Sequence, residues 1–196
     1  MELEKSLFFD IADDNLECRA LRVSDVTPAY VTGLKRHGYF LITLPAEVTL
    51  ESQVQYVRAI VAHEKQVLTG LFINNTLAGT AGLQATVSLA NVADITSRGS
   101  TDIGILLFNE EFRGRRLGRV LVWSATYLFY HCTKIHLFKA GLSSDNLPSL
   151  QSFLACGFRE NMNDGRQTEV SLEWPDSVQP DVIRNVVIKN VAKGRR

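Results

Sequence analysis

The chain has 196 residues, with 21 Lys plus Arg against 21 Asp plus Glu and 45% hydrophobic residues. That composition excludes a disordered or fibrous chain and a strongly basic nucleic-acid binder, and it fits a single domain over residues 1–196. A chain this long buries roughly 70% of the surface its unfolded form exposes, so it needs neither metal nor disulfide to hold a core. Cys18, Cys132 and Cys156 form no C-x-x-C pair, and His37, His63, His131 and His136 fall in no metal-ligand spacing, so no metal is expected. The first residues lack a basic region followed by an apolar run, and no stretch reaches the ~18 apolar residues of a membrane span. The expectation is a cytoplasmic protein with no membrane or nucleic-acid partner.

In chain order, residues 16–23 read as a strand ended by Ser24-Asp25, and residues 26–35 as a helix. Thr49 is placed to cap a second helix, with Glu51 in its first turn. Leu50, Val54, Val57 and Val61 then form one buried stripe that ends near His63. Residues 66–73 and 77–86 are strands joined by the tight-turn pair Asn74-Asn75, and residues 101–108 are a further strand. The period then changes, and Leu117, Leu121, Ser124 and Leu128 predict a helix running to about His131. Residues 134–140 follow as a strand, so this strand–helix–strand unit predicts a parallel pair. Pro148 suits the start of a short helix and Gly157 its stop. Residues 167–174 are the last strong strand, and 175–196 read as a solvated tail. The fold class is α/β: one domain with a mixed, mostly antiparallel sheet of about six or seven strands and helices on both faces.

The chemistry concentrates between the strand at 101–108 and the helix that begins at Leu117. Arg113, Gly114, Arg115, Arg116, Leu117, Gly118 and Arg119 place two glycines and four arginines at a helix N-terminus. Unpaired N–H groups, a positive dipole end, glycines that admit close approach and bidentate guanidinium groups together suit a pyrophosphate. The bland alternative is a solvated or nucleic-acid-binding basic patch. Arg119-Val120 stand where a nucleotide-triphosphate loop needs Lys and Ser or Thr, and G-x-G-x-x-G is absent.

The segment resembles the acyl-CoA-binding loop of the GCN5-related N-acetyltransferases, (Q/R)-x-x-G-x-(G/A), with Arg113 first and Gly118 last; Arg116 replaces the usual central Gly. Asn146-Leu147-Pro148-Ser149 and Cys156-Gly157-Phe158 are similar to the family's N-x-x-S…G-F block. The likeness is strongest over 101–158, and the branch it suggests includes ribosomal-protein N-terminal alanine and amino-sugar acetyltransferases. The resemblance implies an enzyme that transfers acetyl from acetyl-CoA to a primary amine by direct attack, the donor lying where two parallel strands splay. It implies backbone contacts at Leu106, Leu107 and Phe108, an oxyanion N–H near Leu106, phosphate contacts from Arg113 to Arg119, and an arm contact at Asn146. Asp102 is the candidate base, or else an exposed strand carboxylate; Ser149 is the candidate acid, or else a helix-start hydroxyl. The usual acid, a Tyr, is Phe153 here. A thiol nucleophile at Cys156 is the minor alternative. A non-catalytic acyl-CoA-binding module is the competing function. The acceptor pocket is expected from residues 30–45 and the loop after Gln84, and a homodimer is open, with strand 167–174 as an edge.

Overall fold

The computed structural model describes residues 5–37, 47–89 and 99–190. β1 (Lys5–Ile11) and β2 (Asp14–Ala20) are followed by α1 (Pro28–His37) and α2 (Leu50–Ala62). β3 (Gln66–Ile73), β4 (Thr76–Ala85) and β5 (Ser100–Leu107) form a meander, and α3 (Leu117–Thr133) leads to β6 (Leu137–Ser143). α4 (Leu147–Leu154) precedes β7 (Arg159–Asn163), β8 (Gln167–Glu173) and β9 (Arg184–Asn190). The nine strands make one sheet in the order β7-β8-β6-β5-β4-β3-β2-β1-β9. β5 and β6 pair parallel, as the strand–helix–strand reading predicts.

The sheet exceeds the expected six or seven strands because β1, β7 and β9 carry weak local signals. All five residues of β7 are exposed, so no alternation marks it. β9 lies in the segment expected to be a solvated tail and pairs antiparallel with β1; residues 191–196, the rest of that tail, lie outside the described residues. β8 is flanked by β6 and β7, so it cannot be the sheet edge expected of residues 167–174. The strand expected from residue 134 starts at Leu137, because α3 extends to Thr133 and Lys134 takes a left-handed cap, φ 63°.

Local rules hold elsewhere. Asn74 and Asn75, with φ 47° and 67°, make the tight turn between β3 and β4. Thr49 caps α2 reciprocally with Ser52: each hydroxyl accepts the other residue's N–H, at 3.0 and 2.9 Å. Val57 is fully buried, but Leu50 at the helix start is 45% exposed and leaves the predicted stripe.

Two cores sit on opposite faces of the sheet. On one face α3 buries Leu117, Leu121, Trp123, Ser124, Leu128 and Phe129 against β1 to β6. On the other, α1 and α2 cover Leu21, Leu68, Phe72, Leu106 and Phe108. The chain's entry to α1 is held by Arg19, which donates to both Asp25 oxygens at 2.7 and 2.8 Å while stacking over Phe72 at 4.0 Å. Burial pushes the Asp25 carboxyl up, but hydrogen bonds from Arg19 and the Arg22 N–H outweigh it and hold the group below the ordinary carboxylate value. A depressed native value stabilises the fold above the unfolded value, about pH 3.9, and the gain is lost as pH falls through the native one. Asp25→Asn is therefore expected to lower the urea midpoint at pH 6, with the difference from wild type closing in acid below about pH 4.

Candidate active site

The parallel ladder between β5 and β6 is short. Ser100, Thr101 and Asp102 pair with Leu137, Phe138 and Lys139, and no pair follows. β5 nevertheless continues along β4 to Leu107, and β6 continues along β8 to Ser143. The two strands splay from Ile103 and Ala140 onward, opening a gap between backbones that still carry donors and acceptors. Such groups call for a partner.

Register identifies which groups face the gap. Thr86 N–H donates to the Ser100 carbonyl and Phe108 N–H to the Ala78 carbonyl, so even-numbered residues of β5 turn their backbone groups to β4. Alternation then points those of Ile105 and Leu107 into the gap. The N–H of Leu106, near which the oxyanion contact was expected, is turned into the ladder with β4. Ile105, which the sequence does not single out, turns its N–H to the gap instead; only the pairing across three strands reveals it. The side chains of Leu106 and Phe108 are buried in the α1/α2 core, where Phe108 meets the Tyr30 ring at 5.3 Å.

β5 delivers the chain to the basic turn and α3. Gly114 has φ +75°, and Arg116, at the position expected for Gly, adopts the left-handed conformation itself, φ 57° and ψ 25°. A residue with a Cβ thus stands in a conformation that favours glycine, at a cost of about 1 kcal/mol. No side chain caps α3, whereas Thr49 caps α2 and Asn146 caps α4. Its first N–H groups have no side-chain partner at the cap, and they follow a left-handed turn, an arrangement that can receive an anion.

The four arginines have separate surroundings. Arg113 donates to His37 Nδ1 at 3.2 Å, so in the neutral ring the proton sits on Nε2, 3.5 Å from Glu110. Arg115 lies over the Phe112 ring and pairs with Asp14, whose carboxyl that hydrogen bond holds below its ordinary value. Arg119 pairs with Asp181 at 3.0 Å, on the segment leading into β9. Arg116 is exposed and has no ion pair among the described residues. Gly118 serves packing as well: a Cβ there would stand 2.4 Å from Ser152 Oγ of α4. His37 and Asp181, the partners of two of these arginines, carry no sequence signal because each is brought in by a distant element.

Asp102 is exposed on the α1/α2 face, in register with Gln84 and Lys139, and forms no ion pair among the described residues. Asn146 caps α4, its Oδ1 accepting the Ser149 N–H at 3.3 Å. Leu147, Pro148 and Ser149 open α4, which follows β6 at the splayed end of the pair. Phe153 is 2% exposed and packs on Phe158 at 4.9 Å, so its position points into the core. Cys156 is buried and donates to the Arg119 carbonyl at 3.1 Å, and burial pushes its thiol up to about 12. That environment excludes a thiolate nucleophile. Residues 38–45 of the expected acceptor pocket, and 90–98 of the loop after Gln84, lie outside the described residues.

This architecture is the fold of the GCN5-related N-acetyltransferases. RimJ of Mycobacterium smegmatis, solved with a CoA disulfide, is 15% identical over 88% of this chain and 90% of its own, with a TM-score of 0.67. The aminoglycoside acetyltransferase AAC(6′)-Ib in complex with coenzyme A is 18% identical over 82% and 96%, with a TM-score of 0.64. A spermidine N-acetyltransferase SpeG chimera from Vibrio cholerae and hSSAT is 15% identical over 81% and 95%, with a TM-score of 0.62. No protein-family model matches the sequence, and no curated protein matches it. No helix among the described residues is long and apolar enough to cross a membrane, and no cluster of His, Cys, Asp and Glu there could hold a metal ion.

Proposed function

We propose that the chain is an acetyl-CoA-dependent N-acetyltransferase acting on a primary amine. The observation that carries this reading is the splay of β5 from β6, which runs to an uncapped α3 preceded by a left-handed turn. The pantetheine arm lies along the gap-facing groups of Ile105 and Leu107, with the Asn146 side chain at its far wall. The pyrophosphate rests on the N–H groups from Gly114 to Gly118, with Arg113 and Arg116 as cations. Arg115 and Arg119, tied to Asp14 and Asp181, contribute backbone and field.

The amine nitrogen attacks the thioester carbonyl carbon, the C–N bond forms, and the C–S bond breaks. A gap-facing N–H stabilises the oxyanion. Asp102 takes the proton from the ammonium, and the Ser149 hydroxyl relays a proton from water to the departing thiolate, regaining one as it gives one. No covalent acyl-enzyme is needed.

Calorimetric titration with acetyl-CoA, with ATP and DNA as controls, tests the reading. One saturable site per chain and weak control signals support it, and no binding at millimolar acetyl-CoA overturns it. Thiol release over an amine panel then separates the enzyme from a non-catalytic acyl-CoA-binding module. Arg116→Gly is expected to hold or raise thermal stability, by up to about 1 kcal/mol, because the left-handed turn no longer carries a Cβ. The same change should weaken acetyl-CoA binding about tenfold through a lost charge-assisted contact, with a shallower salt dependence.

A further inference from the structure

The four arginines of the basic turn differ in what holds them. Arg115 and Arg119 pair with the carboxylates of Asp14 and Asp181, which fix a direction and also cancel charge. Arg116 keeps its charge, but no ion pair among the described residues directs it. Arg113 alone of the four is held and keeps its charge, because its guanidinium donates to His37 Nδ1 at 3.2 Å and that partner is a neutral ring. The neutrality follows from the contact itself. A guanidinium has donors and no acceptor, so the ring nitrogen must accept, and an imidazolium has no nitrogen that can. Arg113 is exposed, and its guanidinium makes no other hydrogen bond or ion pair among the described residues, so its remaining N–H groups are open to an oxyanion.

The position of His37 is unusual for a polar side chain. Tyr30, Leu34 and His37 follow one another on the buried face of α1, so the ring stands where helical spacing assigns an apolar residue. It is 5% exposed. A polar ring buried there calls for a partner, and its hydrogen bond goes to a residue 76 positions away. Its other nitrogen, Nε2, lies 3.5 Å from Glu110 Oε1 and makes no hydrogen bond to the described residues. The Glu110 charge is met in turn by Arg36, in the last turn of α1, at 2.8 Å. The base of the Arg113 side chain is fixed as well. Its backbone N–H donates to the Glu110 carbonyl at 3.1 Å, and Phe112 beside it is buried in the α3 core. Arg36, Glu110, His37 and Arg113 thus link the end of α1 to the basic turn; Arg36 balances Glu110, and the surplus positive charge sits on Arg113.

We propose that His37 is a positioning residue for the acyl-CoA donor: its neutral ring holds the Arg113 guanidinium for the pyrophosphate without cancelling its charge. This rests on the acetyltransferase reading above and adds to the donor's site a residue from outside the basic turn. A carboxylate in the same place would hold Arg113 as firmly and would oppose the phosphates. An apolar side chain would leave a rotamer-rich arginine to be ordered at each binding event, at a loss of roughly three- to tenfold in affinity.

Two amides separate the ring's nitrogens in the test. Asn Oδ1 falls near the place of Nδ1 and the Gln amide near that of Nε2, so His37→Asn keeps an acceptor for Arg113 and His37→Gln does not. Acetyl-CoA affinity is measured by calorimetry at about pH 8, where imidazole is neutral, for wild type, His37→Asn, His37→Gln and His37→Ala. Each is made with and without Arg113→Ala, and melting temperatures are recorded. His37→Ala and His37→Gln should bind about fivefold more weakly, and His37→Asn within about twofold of wild type. Arg113→Ala should bind about tenfold more weakly. On that background the His37 substitutions should change affinity by less than about twofold, whatever they do to the melting temperature. Histidine 15N resonances of the wild-type chain need no His37 variant: one ring should carry its proton on Nε2, and its bare Nδ1 signal should move in Arg113→Ala. Equal losses in the Asn and Gln variants, a loss that persists on the Arg113→Ala background, or no ring whose Nδ1 responds to Arg113→Ala overturns the proposal. So does wild-type affinity in either His37→Ala or Arg113→Ala. A wild-type chain that binds no acetyl-CoA refutes the acetyltransferase reading instead, so the two failures are distinct.

Discussion

Gly118→Glu combined with Ser152→Ala is expected to give a folded protein that has lost acetyl-CoA binding by a hundredfold or more. The single change would confound two effects. A Cβ at Gly118 stands 2.4 Å from Ser152 Oγ, which is itself bonded to the Pro148 carbonyl at 2.8 Å, so any side chain there presses on α4. Removing the Ser152 hydroxyl gives the new side chain room. What remains is a carboxylate in the first turn of an uncapped helix, where the N–H groups and dipole would otherwise receive the pyrophosphate. Losing a charge-assisted hydrogen bond costs about 1.5–3 kcal/mol, and like-charge repulsion adds to it. Gly118→Ala with Ser152→Ala is the neutral control and should bind within a few-fold of wild type. Calorimetry on both, with circular dichroism to check folding, gives the answer. A Glu variant that binds as wild type does would remove the pyrophosphate from the start of α3.

Asp102→Asn is expected to lower kcat about a hundredfold or more, or roughly 2.7 kcal/mol of transition-state stabilisation, with acetyl-CoA affinity unchanged. The split follows from position. Asp102 projects on the α1/α2 face at the last parallel pair, where the gap begins, while the basic turn lies beyond the far end of β5. On the proposed mechanism its loss removes the proton acceptor for the attacking amine without touching the turn at 113–119. Ser149→Ala should show the same signature with a smaller loss, because a thiolate can leave unaided. Asp102→Asn turning over at the wild-type rate would assign the proton to a water chain and leave Asp102 a strand carboxylate.

Much of the candidate site was legible because its signals are local. The basic turn, the N-x-x-S block and the Thr49 cap each lie within one element junction, where spacing alone fixes which groups meet. The strand-to-helix step at Leu117 follows from a change of hydrophobic period inside one segment. Even the replaced glycine at Arg116 could be flagged from sequence, although only the backbone reveals that the arginine keeps the left-handed conformation. Phe153 is excluded as an acid by its side chain, which has no hydroxyl, and the structure adds that its ring packs against Phe158 in the core.

What sequence did not carry depends on pairing between distant residues. β7 and β9 have too little burial to impose alternation, and their place comes from β8 and β1 beside them. The length of the β5–β6 ladder and the turning of Ile105 and Leu107 toward the gap are consequences of register. Register is a relation among strands, so no single strand encodes it. By itself the sequence determined an α/β domain with a basic, glycine-containing turn at the head of its central helix. The tertiary structure decided where that turn's arginines are spent and which backbone groups face the gap, because those outcomes depend on partners that only folding brings together.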